Sequence, residues 1–258
     1  MTSINKRFRD RIGFPYDKKM RFEDLGEVLE KTAKTIPFEN VCVIEKKTAE
    51  LTKDSLHAKI LEQKEGGLCY ELNTILHYFL KENGFDAVLV RGTVYDQKNQ
   101  QWSTTGKTHV TNLLLQEGRY YLVDTGFGGN LPLKPVPLDG EIITSKNGEF
   151  RVESTESEQG NFILYMKLRY KDHDWKKGYA FDSNDAIKNM TELNIIQRVI
   201  TDHPESPFNK QPLLTRMTDQ GNMTLTKTSF TEWVDGTVQK EEINEARYKE
   251  IRKEKFEM

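Results

Sequence analysis

What the chain lacks narrows the possibilities first. No apolar run in its 258 residues is long enough to span a bilayer, and Met1-Thr2-Ser3-Ile4-Asn5-Lys6-Arg7-Phe8-Arg9-Asp10 holds no apolar segment of the kind a signal peptide needs. An excess of one charge is missing too. The 38 Lys and Arg against 40 Asp and Glu leave a formal net charge of −2, which gives no general electrostatic case for nucleic acid or an anionic membrane as partner. Cysteine is scarce: Cys42 and Cys69 leave one disulfide open by count, while the absence of targeting favours reduced thiols in a cytosol, so a cytoplasmic protein is expected. The five histidines, His57, His77, His109, His173 and His203, are scattered without ligand-like spacing, so no metal site is expected. No internal repeat stands out. A hydrophobic content of 36% over this length is enough to bury a core, as one large or several small domains.

Against these absences, one segment carries chemistry. Cys69 lies in Glu65-Gly66-Gly67-Leu68-Cys69-Tyr70-Glu71-Leu72-Asn73. The two glycines allow a tight turn with close backbone approach, and apolar residues at 68, 72, 75, 76, 79 and 80 then follow helical spacing. The pattern predicts a buried helix with Cys69 in its first turn. There the helix dipole favours thiolate, and unpaired N–H groups are placed to stabilise an oxyanion. A free cysteine is commonly a small buried hydrophobe; Cys42, within Val41-Cys42-Val43-Ile44, reads that way, whereas the surroundings of Cys69 read as a nucleophile.

A base and an acid follow in the chain. His109 opens the apolar run His109-Val110-Thr111-Asn112-Leu113-Leu114-Leu115, and Asp124 ends Arg119-Tyr120-Tyr121-Leu122-Val123-Asp124. With Glu117-Gly118 as the turn, the two runs read as a β-hairpin. Pairing about that turn sets a residue near 111 opposite Asp124, so His109 and Asp124 share its open end. Cys69, His109 and Asp124 then suit nucleophile, base and base-orienting carboxylate. His77 is eight residues beyond Cys69 on the same helix, too far along to be the base, and reads as structural.

Apolar positions from 21 to 36, 54 to 63 and 69 to 83 predict a helix-rich start. Strands are expected at 87–95, in the His109 hairpin, and at 150–152, 162–170 and 178–181, with 153–161 as a solvated hairpin loop. A helix over 185–201, short strands over 211–233 and a charged helix over 241–256 complete the reading.

Taken together, these motifs resemble the arylamine N-acetyltransferases. The family's Gly-Gly-x-Cys-x-Glu-x-Asn is matched by residues 66 to 73, its Thr-His before an apolar strand by Thr108-His109, its Val-Asp-x-Gly-Phe-Gly by Val123 to Gly128, and its Pro-Phe-Glu-Asn by Pro37-Phe38-Glu39-Asn40. The resemblance runs over essentially the whole chain, carried beyond about residue 185 by layout and by Ser206-Pro207-Phe208. It implies an α+β fold with a cysteine-protease-like core: an N-terminal helical bundle (1–85) carrying the nucleophile, a central β-barrel (86–184) carrying His and Asp, and a C-terminal α/β lid (185–258). It implies acetyl-CoA as acyl donor, an arylamine, arylhydroxylamine or hydrazine as acceptor, and ping-pong transfer through acetyl-Cys69. By the same resemblance, Thr105, Gly106, Gly126, Gly128, Gly129, Ser206 and Phe208 would approach the coenzyme, and Phe38, Thr108 and Phe127 the amine. The family's usual Arg before the two glycines is Glu65 here. If that Arg pairs with Glu71, either Lys64 substitutes or the loop packs differently. A thiol hydrolase, an amide synthase and a catalytically weakened homologue stay open as alternatives, as does the oligomeric state.

Overall fold

The computed structural model describes residues 3–258, so the first two residues of the expected 1–85 segment lie outside the described residues. Helix α1 (Ile4–Ile12) opens the chain, a helix that the sequence pattern had not singled out; Gly13, at φ 65°, closes it. Its Phe8 stacks on Phe79 with ring centroids 4.6 Å apart, which docks α1 on the helix that begins at Cys69. Then come α2 (Leu25–Thr35), the two-residue strand β1 (Phe38–Glu39), α3 (Val41–Ile44), and α4 (Lys53–Leu56), which continues as a π-helical turn over His57–Glu62.

Helix α5 (Cys69–Glu82) is the axis of this half. Leu72, Ile75, Leu76, Phe79 and Leu80 are all buried at the expected spacing, and so are Asn73 and Thr74 on its other side. A helix buried nearly all round must pair its polar side chains inside the protein. Asn73 does this, and its partners belong to the site described below.

The middle of the chain is an antiparallel sheet. Its strands are β2 (Asp86–Asp96), β3 (Gln101–Trp102), β4 (His109–Gln116), β5 (Arg119–Val123), β6 (Val136–Pro137), β7 (Ile143–Ser145), β8 (Gly148–Ser157), β9 (Gly160–Leu168) and β10 (Lys176–Ala186). They run in the order β6-β5-β4-β2-β10-β9-β8-β7, with β3 added beside β2, and the sheet curls until β6 touches β8. The result is a nearly closed barrel around Val90, Leu113, Leu122, Phe150, Leu164 and Phe181. The expected solvated loop at 153–161 is instead ordered ribbon: Val152 pairs with Leu164, Glu153 with Ile163 and Ser154 with Phe162, with a register shift before the Ser157–Gly160 pair. Polar residues there mark the wet side of a two-stranded ribbon rather than its end, which composition alone does not separate.

Helix α6 (Met190–Asp202) starts five residues later than expected, because β10 runs on to Ala186. The chain ends in β11 (Leu213–Met217), β12 (Gly221–Thr226), β13 (Ser229–Val234), an additional and fully exposed edge strand β14 (Thr237–Glu242), and α7 (Glu245–Phe256). Strand β1 pairs with β11, so this second sheet, β1-β11-β12-β13-β14, is anchored in the N-terminal half. Asn40 fastens the joint: its Nδ2 donates to the carbonyls of Phe208 (2.8 Å) and Gln211 (2.9 Å), and its Oδ1 accepts from the Leu213 N–H (2.7 Å).

Candidate active site

Three elements converge on one point. Cys69 is the first residue of α5, so its N–H has no acceptor within the helix. The turn before it is held on both sides. Gly67 N–H donates to the Pro37 carbonyl (3.2 Å) and Glu39 N–H to the Gly67 carbonyl (3.0 Å), while a Cβ on Gly66 would meet the Pro37 oxygen at 2.1 Å. The Pro37-Phe38-Glu39-Asn40 segment therefore links the nucleophile's turn to the C-terminal sheet.

His109 begins β4 and Asp124 follows β5. The hairpin register, Asn112 with Val123, sets Thr111 level with Asp124, as the sequence implies, and His109 Nε2 lies 2.8 Å from Asp124 Oδ2. Each carboxylate oxygen takes two donors: Oδ1 accepts from Asn73 Nδ2 (2.8 Å) and Gly126 N–H (2.6 Å), and Oδ2 from His109 and the Tyr179 hydroxyl (2.7 Å). Full satisfaction is what a buried carboxylate requires. Burial pushes Asp124 up, but His109, Asn73 and Gly126 outweigh it and hold the carboxyl below its ordinary range. For His109, burial disfavours charge, yet Asp124 and the neighbouring Cys69 raise the imidazole to about 10. The pair is thus carboxylate and imidazolium at neutral pH.

Cys69 is buried and its Sγ donates to the Thr108 carbonyl at 3.6 Å, one residue from His109. With Nε2 engaged by Asp124, Nδ1 is the imidazole nitrogen left for the sulfur. Gly126 has to be glycine here: a Cβ would stand 2.6 Å from Cys69 Cα and 2.7 Å from Asn73 Nδ2.

Asn73 and Tyr179 hold Asp124 although the sequence reading gave neither a role in the site. Asn73 lies four residues after Cys69, on the same face of α5. Besides Asp124 it donates to the Val110 carbonyl (2.7 Å) and accepts from the Thr125 N–H (3.0 Å), which rivets the helix to the hairpin. Its place in the matched motif was the available signal. Tyr179, on β10, packs its ring 4.2 Å from that of His109; nothing in its local sequence distinguishes it from an ordinary strand tyrosine.

The site opens into a cleft of about 630 Å³. Phe38, Phe127 and Phe208 line it, together with Thr105, Thr108, Gly126, Gly128 and Gly129. Phe127 meets His109 edge-on at 5.3 Å, and Phe38 meets Phe208 at 5.6 Å. The Ser103, Thr105 and Thr108 hydroxyls form a chain at 2.8 and 3.1 Å along one wall. Two expected coenzyme positions are not in the lining. Ser206 is fully buried and its hydroxyl caps the short turn at Pro207–Asn209, and Gly106, at φ 67°, makes the turn before β4.

Behind the cysteine's turn lies the answer to the Glu65 substitution. Lys59, from the π-helical turn, reaches Glu71 Oε1 at 2.6 Å and Glu39 Oε1 at 3.5 Å. Glu71 in turn caps α5 by accepting from the Leu68 N–H at 2.9 Å. Lys64 does not substitute: it faces away, in a shallow surface pocket with Arg7, Asp10 and Arg11. Glu65 instead accepts from Cys42 Sγ at 3.8 Å. Cys42 is half-buried beside these charged groups; burial first, and then the surrounding carboxylates, push its thiol up to about 11 against the pull of Lys59.

A family model for N-acetyltransferase matches residues 21–258. The crystal structure of arylamine N-acetyltransferase C from Bacillus anthracis superposes with a TM-score of 0.94 at 38% identity, covering 100% of this chain and 99% of that one. An arylamine N-acetyltransferase of Bacillus cereus, described as having a Cys-His-Glu catalytic triad, gives 0.93 at 39% identity over 99% of this chain and 98% of its own. In this chain Asp124 is the acid on His109. An uncharacterized acetyltransferase of Bacillus subtilis is 37% identical over 251 residues, 97% of this chain and 96% of the relative.

Proposed function

The chain belongs to the arylamine N-acetyltransferase family of acyltransferases, and from that premise we propose that it moves an acetyl group from acetyl-CoA to an arylamine, arylhydroxylamine or hydrazine through an acetyl-Cys69 intermediate. The observation that carries this reading is the convergence, at one end of an aromatic cleft, of Cys69 and a neighbouring His109 whose Nε2 is held by a fully satisfied Asp124.

In the first half, the Cys69 thiolate attacks the thioester carbonyl. The oxyanion forms beside the unpaired Cys69 N–H, and the departing CoA sulfur takes the proton from the His109 imidazolium. One thioester replaces another, so no coupled energy source is needed. In the second half the now neutral imidazole accepts a proton from the amine as its nitrogen attacks the acetyl carbon, and Cys69 leaves as thiolate beside imidazolium. Atoms and charges return to the starting state. Asp124 holds the ring with Nε2 towards itself, so that Nδ1 alone serves the sulfur and the amine, and it stabilises the charged ring. Phe38, Phe127 and Phe208 suit the flat face of an arylamine, and their apolar wall lowers the water concentration at the acetyl ester of the thiol. Free Cys42 and Cys69 fit a reducing cytosol.

Intact mass after brief mixing with acetyl-CoA tests the scheme. The wild type should gain one acetyl group, Cys69→Ala none, and an added arylamine should discharge the ester faster than water does. Discharge by water as fast as by any amine would make the protein a thiol hydrolase, and no gain would make it a silent homologue.

A further inference from the structure

The cleft at Cys69 is lined by residues of two kinds. Phe38, Phe127 and Phe208 are apolar, whereas the stretch from the end of β2 to the start of β4 supplies hydrogen-bonding groups, among them Asp96, Asn99, Gln101 and Ser103. The phenylalanines suit the ring of an arylamine. They leave the charge on the polar stretch without a task.

That charge has one sign. Among the described lining residues Asp96 and Glu205 are carboxylates, and there is no Lys or Arg. The His109 imidazolium is already matched by Asp124, so the rest of the cleft is acidic. Asp96 is fixed in place at the tip of the β2–β3 hairpin. Its Oδ1 accepts from the N–H groups of Lys98 (2.9 Å) and Asn99 (3.1 Å), and its Oδ2 accepts from Asn99 Nδ2 (2.7 Å), which leaves Oδ2 free to take a further partner. These bonds, those from Asn99 foremost, hold its carboxyl below the ordinary range, so it is ionised at neutral pH.

The cations nearby face other ways. Lys98 is exposed and does not line the cleft. Lys177 lies over the rings of Tyr95 and Trp102, 5.1 and 5.9 Å from their centroids. Tyr95 stands between Val94 and Asp96, which both line the cleft, so it projects from the opposite face of the strand. Glu205 is exposed just ahead of the turn at Pro207–Asn209 and makes no ion pair among the described residues.

Resting on the acyl-transfer reading above, we infer that the cleft selects its amine by charge: Asp96, with Glu205 adding to the field, favours an arylamine or arylhydrazine that carries a cationic substituent and disfavours one that carries a carboxylate. The ring packs among the phenylalanines with its amino group at Cys69, and the substituent points to the hairpin tip. A cation gains and an anion loses in the same field, so the two responses multiply in their ratio.

The test follows discharge of acetyl-Cys69 in the full chain, loaded with p-nitrophenyl acetate so that coenzyme binding does not enter. Three p-aminobenzamides are compared whose amide arms end, after two methylenes, in trimethylammonium, methyl or carboxylate. The amide insulates the aniline from the end group, so the three nitrogens are equally nucleophilic and any difference is one of recognition. At low salt and subsaturating amine the cation should discharge the enzyme about tenfold or more faster than the anion, with the neutral amide between them, and the ratio should shrink as salt is added. Asp96→Asn combined with Glu205→Gln should cut the ratio to about threefold or less, the neutral amide changing least, and Asp96→Lys should invert the order. Equal discharge by all three amines overturns the inference and leaves acyl transfer intact. So does a ratio that the variants leave unchanged, because the selecting charge would then lie elsewhere. The salt dependence of the wild type is a reading that needs no variant to fold. If the wild type takes no acetyl group, or water discharges it as fast as every amine, the acyl-transfer reading fails and this inference fails with it.

Discussion

The two cysteines sit on opposite sides of one turn, and their surroundings make them different reagents. Cys69 has an imidazolium beside it, backed by a carboxylate with every acceptor site filled. Cys42 has Glu65 on its sulfur and Glu39 and Glu71 nearby, and Lys59, the cation among them, is already engaged by those carboxylates. A positive neighbour favours thiolate and a negative one opposes it. Side-chain identity is thus a poor guide to reactivity; the sign of the charge packed against the sulfur decides it.

The largest effect that could break this comparison is loss of a sulfur. Cys69→Ala should lower the transfer rate by about 10⁴-fold or more, whereas Cys42→Ala should stay within about twofold, in steady-state assays with acetyl-CoA and an arylamine. A comparable loss in both would mean that Cys42 takes part.

Asp124→Asn comes next. It keeps the shape and removes the charge, so kcat should fall by about 10³- to 10⁴-fold. It should also change the pH dependence of stability, in a direction set by the imidazole. The folded state raises His109 from 6.5 to about 10, so its ion pair with Asp124 contributes in full below about 6.5 and is lost as pH climbs through about 10. Denaturant midpoints should therefore show the wild type's advantage over Asp124→Asn shrinking between those limits. A gap that widens towards pH 10 would reverse the assignment of charge.

Lys59→Met acts on the other side of the turn. Leaving Glu71 and Glu39 buried without their cation should cost about 3–5 kcal/mol, read as a lowered midpoint, and Lys59→Arg should restore most of it. Equal stability of the Met variant would show that the lysine is not what secures the cap on α5.

The smallest effect is one of labelling. Near pH 7 iodoacetamide should modify Cys69 and spare Cys42; labelling of Cys42 should grow as pH approaches about 11, where its thiol ionises. Mass mapping that found Cys42 labelled first at neutral pH would contradict the charge argument.

Much of the site was legible because its signals are local. The buried face of α5, the turn at Glu117-Gly118 and the glycines before Cys69 each act within a few residues, so helix, hairpin and nucleophile's turn could be read directly. Tyr179 and Lys59 could not. Their partners, Asp124 and Glu71, are 55 and 12 residues away, and no spacing rule reports a contact that only packing creates. The same holds for the ribbon over 153–161, where cross-strand partners order residues whose composition suits a loop.

By itself, then, the sequence determined the order of Cys69, His109 and Asp124 and the elements that carry them, because periodicity and turn chemistry are properties of neighbouring residues. Tertiary structure alone decided which charges meet. Ion pairs and buried hydrogen bonds join distant segments, and their strength depends on the water that folding removes. That is why Asp124 is fully satisfied and why Lys59 meets Glu71 and Glu39 behind the glycines.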